Sequence, residues 1–176
     1  EVLLRTAQRL FDESGVEAVT MTQIAQEAGV GKGTLYRHFN NKNEICQALL
    51  DEDMRLLQVK TLRHARETGD PLATLRWFLD SVVRFVVRNE EMLFSGLETS
   101  PNLSMALDAH LWWRQTIRGF LRQMQVEGDL DYLTDVLYIM LDVNTIRFQR
   151  HTRGYDVERI ISGLHDALER LRFTAH

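Results

Sequence analysis

The chain has 176 residues, one Cys, ten Gly, only two Pro and a formal net charge of −4. That length buries a substantial core in one or two domains, and a single cysteine excludes an intrachain disulfide. No run approaches the roughly 18 apolar residues of a membrane span, and the long apolar-periodic runs lack strand alternation and hairpin turns, so an all-α protein in the cytoplasm is expected.

The first helix is expected over Glu1 to Ser14, where Leu3, Leu4, Ala7, Leu10 and Phe11 share a face and Gly15 closes it. The chain starts inside this helix without Met, so a preceding segment is expected. Thr20 with Gln23 forms a capping-box pair opening a second helix, with Ile24, Ala25 and Ala28 on one face and Gly29 as its left-handed terminator. A third helix runs from about Lys32 to His38, placing Leu35 and Phe39 inward and Lys32, Thr34, Tyr36, Arg37 and His38 outward. Two short helices joined by a glycine turn form a helix-turn-helix whose second helix is placed to read DNA. Leu10, Phe11, Ile24, Leu35 and Phe39 are expected to form the shared core of this small domain.

Residues 3–45, LLRTAQRLFDESGVEAVTMTQIAQEAGVGKGTLYRHFNNKNEI, resemble the DNA-binding domain of the tetracycline-repressor (TetR) family. The resemblance rests on Ala7, Leu10, Phe11, Gly15, Thr20, Ile24, Ala25, Ala28-Gly29-Val30, Gly33-Thr34-Leu35-Tyr36, His38-Phe39 and Lys42, in order and without a gap. It covers about the first quarter of the chain. The turn reads GVGKG where Ser is frequent before the Lys, and Gly31 still serves as an N-cap. The resemblance implies phosphate contacts from Thr34, Tyr36, His38 and Lys42, and approach to base edges by Lys32, Gly33 and Arg37. It also implies a basic arm ahead of the first helix. That arm bears on charge, because residues 1–50 hold five Lys and Arg against six Asp and Glu. Their distribution still favours DNA: Lys32, Arg37 and Lys42 cluster in or beside the reading helix.

Asn41 with Glu44 opens a long helix from about Lys42 to Arg66, a natural mechanical link out of the DNA-binding domain. The domains are accordingly drawn as 1–44, DNA binding, and 45–176, helical ligand binding and dimerisation. Thr68-Gly69-Asp70-Pro71 is the clearest break, and a mostly apolar helix follows to about Arg88. A short helix is expected over Glu90 to Leu97, a break over Thr99 to Asn102, and a long helix over Leu103 to Val126, ended by Gly128. The last helices are drawn over Leu130 to Arg150 and Val157 to Arg172, with Asp156 as cap. Their wide apolar faces need a partner surface, and the resemblance implies a homodimer through a four-helix bundle of these helices on a two-fold operator.

No Gly-rich phosphate loop, HExxH, Cys cluster or Ser elbow is present, so no catalytic site is assigned. The six His lack paired metal-ligand spacing, and no metal or cofactor is expected. Cys46 reads as a packing residue, with redox sensing as the alternative. The resemblance implies a cavity for a small-molecule effector among the central helices. Trp77, Phe78, Phe85, Phe94, Trp112, Trp113, Tyr138 and Phe148 are candidate walls, with Glu98, His110, Arg114, Asp142, Asn144 and Arg147 as polar anchors. Core packing is the competing reading for each aromatic, and mutual pairing or the dimer interface for Asp142, Asn144 and Arg147. The expected function is a ligand-responsive regulator bound to a palindromic duplex operator, with a repressor released by an apolar or aromatic effector as the leading form. A ligand-free adaptor or architectural DNA-binding protein and a helical-bundle enzyme are the rivals.

Overall fold

The computed structural model describes the backbone of residues 1–99 and 104–172 and the side chains of residues 1–94 and 111–171. Those residues form ten α-helices: α1 (Val2–Ser14), α2 (Met21–Glu27), α3 (Lys32–His38), α4 (Lys42–Thr68), α5 (Pro71–Arg88), α6 (Glu90–Thr99), α7 (Ser104–Gln123), α8 (Leu130–Ile139), α9 (Val143–Arg147) and α10 (Val157–Arg172), with a π-helical segment at Phe148–Thr152. No described helix is long and apolar enough to cross a membrane. The chain divides into two compact units, Glu1–Arg55 with Glu91–Pro101, and Leu56–Glu90 with Asn102–His176.

Local chemistry explains most helix ends. Thr20 and Gln23 form a reciprocal capping box on α2. Asp70 caps α5, with Pro71 in its first turn where the missing N–H costs nothing. Asn41 Oδ1 accepts from Glu44 N, while the Glu44 carboxylate reaches Asn40 rather than Asn41, accepting from its backbone N at 2.7 Å and its Nδ2 at 2.9 Å. Those bonds hold the Glu44 pKa below its usual value.

In the first unit, Ala7, Phe11, Val16, Val19, Ile24, Ala25, Leu35, Ile45, Cys46, Leu49, Leu50 and Met92 are buried. Leu10 and Phe39, expected in that core, are only half-buried. Their place is taken by Val16 and Val19 from the loop after α1 and by the first turns of α4. Burial pushes the Cys46 thiol up to about 11. The native protein is therefore expected to react with a thiol reagent at pH 8 far more slowly than the denatured chain. Equal rates in the two states would show that this core opens readily or that the thiol serves as a sensor.

In the second unit, α5 contributes Leu75, Phe78, Leu79, Val82, Val83, Phe85 and Val86 to the core. It packs on α7, α9 and α10, as expected of a helix apolar over so much of its surface. Side chains four apart on α5 meet α10 in an antiparallel ladder: Arg76 with Glu169, Asp80 with His165 at 2.6 Å, and Arg84 with Glu158 at 2.8 Å. Helices α7 and α8 pair through Arg118 and Asp131 at 2.6 Å and Arg114 and Asp135 at 2.7 Å.

Three boundaries differ from the sequence expectation. Helix α6 continues past Leu97 to Thr99, the first residue of the expected break, and residues 100–102 of that break lie outside the described residues. Helix α7 stops at Gln123, and the chain turns at Gln125, a left-handed non-glycine residue with φ 56°. Bonds from Gln125 N to Arg122 O and from Val126 N to Leu121 O make this a Schellman ending, so Gly128 lies beyond the helix it was expected to close. The helix drawn from Leu130 to Arg150 is broken after Ile139. Asp142 adopts an extended backbone and its side chain accepts from Asn144 N and Thr145 N, starting α9 afresh. An Asp inside an apolar run competes for backbone donors in this way without any Gly or Pro to announce it.

Candidate nucleic-acid interface

The reading head is built by short-range geometry. Helix α2 ends in a Schellman turn, Gly29 N to Gln26 O and Val30 N to Ala25 O, with Gly29 at φ 68°. A side chain there would be strained, which is why the turn takes glycine. Gly31 in extended conformation then caps α3 without a side-chain bond. Leu35, fully buried, fixes the inward face of α3.

The opposite face is open. Lys32, Gly33, Tyr36, Arg37 and His38 are exposed, and Thr34 is half-buried. Arg37 Nη2 donates to Thr34 Oγ1 at 3.4 Å, one turn back on the same helix. Among the described residues no acid pairs with Lys32 or Arg37. The nearby acids are engaged elsewhere: Arg9 binds Glu13 at 3.1 Å and Glu27 at 3.0 Å, tying α1 to α2, and its pKa is raised chiefly by its bonds to Glu13. A Cβ built on Gly33 meets nothing within 4 Å. Nothing in the fold itself requires glycine there.

Lys42 is placed differently from the phosphate contact expected of it. Its Nζ points back into the fold and donates to Val16 O at 2.5 Å, Glu17 O at 3.1 Å and Val19 O at 3.1 Å. All three ammonium donors are used, so Lys42 clamps the α1–α2 loop in this structure. The same loop is held from a second side: Glu91 Oε2 accepts from Val16 N at 3.0 Å and lies 3.3 Å from where a Gly15 Cβ would stand. Glu91 was not singled out in the sequence. Its partner is a backbone amide 75 positions away, which leaves no pattern to read.

Among the described residues, the candidate effector residues pack in pairs and do not line a common pocket. Phe78 is fully buried and Trp113 nearly so. Phe78 meets Trp112 edge-on at 5.4 Å, Phe85 meets Trp113 at 5.9 Å, and Trp77 stacks on His64 at 4.7 Å. The Phe78–Trp112 and Phe85–Trp113 pairs belong to the packing of α5 on α7, whereas Trp77 and His64 are each half-buried. Arg114 is answered by Asp135 and Asp142 is engaged as a helix cap, so these two of the six polar anchors have internal partners. Tyr138 and Phe94 are half-buried, and Phe94 belongs to the first unit. Glu98 and His110 lie outside the described side chains. Two grooves, of about 380 and 190 Å³, are lined by Val59, Leu62, Arg63, Arg66 and Glu67 and by Met140, Gln149, Tyr155 and residues of α10, with none of the candidate residues in either. Among the described residues no group of three His, Cys, Asp or Glu could hold a metal ion.

An all-helical chain with an amino-terminal helix-turn-helix and an open second helix has the architecture of a transcriptional regulator. Residues 3–49 match the bacterial regulatory proteins of the tetR family. The chain is 28% identical over 159 residues to the HTH-type transcriptional regulator SAUSA300_2515 of Staphylococcus aureus strain USA300, covering 86% of this chain and 82% of that one. A transcriptional regulator from Saccharomonospora viridis in complex with choline shares the fold with a TM-score of 0.78, at 24% identity, over 96% of this chain and 94% of that one. Thermus thermophilus FadR, a TetR-family repressor in complex with lauroyl-CoA, does so with a TM-score of 0.67, at 22% identity, over 97% and 91%. The amino-terminal segment of this chain, residues 3–49, thus carries a tetR-type DNA-binding domain, and the chain as a whole is similar to helix-turn-helix transcriptional regulators.

Proposed function

We propose that the protein is a homodimeric repressor, acting in the cytoplasm, that leaves a palindromic operator when a small molecule binds its carboxy-terminal helical domain. Residues 1–44 serve as the reading head and 45–176 as the ligand-binding and dimerisation domain. The carrying observation is the outer face of α3, where Lys32, Arg37, Tyr36 and His38 stand exposed around a glycine that no internal contact demands. Lys32 and Arg37 have the reach for guanine edges, Thr34, Tyr36 and His38 meet phosphates, and Gly33 lets the backbone approach the groove. Lys42 acts by holding the loop that positions this helix. Dimerisation through α8 and the region after it is supported by the exposed apolar stripe of Tyr132, Val136 and Ile139. Effector control is supported by the choline and lauroyl-CoA bound by similar proteins. A ligand of this chain has to prefer one state of the dimer, since equal affinity for both shifts nothing.

The test is selection from random duplexes at two salt concentrations. A recovered palindrome whose affinity falls steeply with salt supports the proposal, and the absence of any enriched sequence in all conditions sinks it. On the selected operator, Gly33→Ala is expected to leave the melting temperature unchanged or raised, because alanine favours helix and its Cβ meets nothing, yet to weaken binding. Undiminished affinity would remove the close approach at Gly33.

A further inference from the structure

Helix α6 begins with two adjacent carboxylates whose partners lie in different units of the fold. The chain passes from one unit to the other between Glu90 and Glu91. In the second unit, the Glu90 side chain is only 12% exposed and receives three basic groups from α9 and the π-helical segment: Arg150 Nη1 at 2.6 Å, His151 Nε2 at 2.8 Å and Arg147 Nε at 4.0 Å. In the first unit, Glu91 accepts from Val16 N at 3.0 Å, and the carbonyl of that same residue accepts from Lys42. Val16 is thus held by its N–H from α6 and by its C=O from α4. Both carboxylates sit in the first turn of one helix, where a shift of one backbone position carries the next with it.

We propose that Glu91 is a positioning residue for DNA reading, and that the Glu90–Glu91 pair relays the state of the Arg150–His151 segment to the loop that carries the helix-turn-helix. The inference rests on the regulator proposed above and adds to it a second route beside α4. When the Glu90 anchors hold, the first turn of α6 is fixed and Glu91 keeps Val16 in place. When they are released, that turn shifts and Val16 loses its acceptor.

Two readouts on the full chain test this, one of them independent of DNA. The first is hydrogen exchange at the Val16 amide in Glu90→Gln and in Arg150→Gln, which breaks the same anchor from its other end. Neither substitution touches Val16, yet exchange there is expected to accelerate about 2- to 30-fold, the range of coupling transmitted through such networks. Faster exchange confined to the Arg147–Arg153 region, with Val16 unchanged, would overturn the relay. The second is affinity for the selected operator in Glu90→Gln, Glu91→Ala and the double variant. Each single change is expected to weaken binding, and Glu90→Gln to cost nothing further once Glu91 is alanine. Losses that multiply independently would overturn the coupling. Glu91→Gln, which keeps an acceptor oxygen, is expected to bind like the parent; a loss equal to that of alanine would remove the hydrogen bond from the argument. Failure to select any operator, with Val16 responding as expected, would count against the regulator and not against the relay.

Discussion

Ile139→Glu is expected to split the dimer and lower operator affinity by about 10²- to 10⁴-fold, the loss that follows when two linked reading heads become independent. The stripe it interrupts, Tyr132, Val136 and Ile139, follows helical spacing on α8 and is exposed by 68%, 37% and 57%. The opposite side of α8 is committed within the chain: Thr134 and Leu137 are buried, and Asp131 and Asp135 pair with α7. A glutamate at 139 therefore enters solvent in the single chain and leaves the fold intact, but places charge in the centre of the apolar contact proposed between two copies. Sedimentation at micromolar protein and titration on whole and half operators measure both effects together. A variant that remains dimeric with unchanged affinity would move the interface away from α8.

Lys42→Ala is expected to destabilise the protein by about 2–3 kcal/mol, because hydrogen bonds to a charged donor are the stronger kind and the part-buried carbonyls of Val16 and Val19 are left without it. For a chain of this size that lowers the thermal midpoint by about 4–12 °C. Lys42→Arg is not expected to restore it, since a planar fork cannot aim at three carbonyls as a compact ammonium does. The same variant separates two roles in DNA binding. If the ammonium neutralises a phosphate from the outer surface, its removal reduces the salt slope by about 1 with little change in stability. If it clamps the loop, its removal lowers stability and binding together and leaves the slope unchanged. An Ala variant as stable as the parent would sink the clamp.

What the sequence by itself determined was whatever depends on neighbours within a turn or two. The capping box of Thr20 and Gln23, the Asp70-Pro71 start of α5 and the cap at Asp156 are set by side chains bonding to backbone within three positions, and the turn of the helix-turn-helix by the left-handed Gly29 and backbone bonds spanning three and five positions. The outward face of α3 was legible for the same reason, since helical period places Lys32, Tyr36 and Arg37 opposite Leu35. Tertiary structure alone decided contacts whose partner is a backbone atom or a distant helix. Lys42 reaches carbonyls 23 to 26 residues back, and carbonyls carry no residue identity to recognise. Glu91 on Val16 N and Glu90 beneath Arg150 are hidden equally well. Asp142 looked like a polar group stranded in an apolar helix, and the fold resolved it by breaking that helix and using the carboxylate as a cap. Phe78 and Trp113 could have lined a cavity on composition alone. Their burial against Trp112 and Phe85 follows from how α5 and α7 pack, which no local pattern encodes.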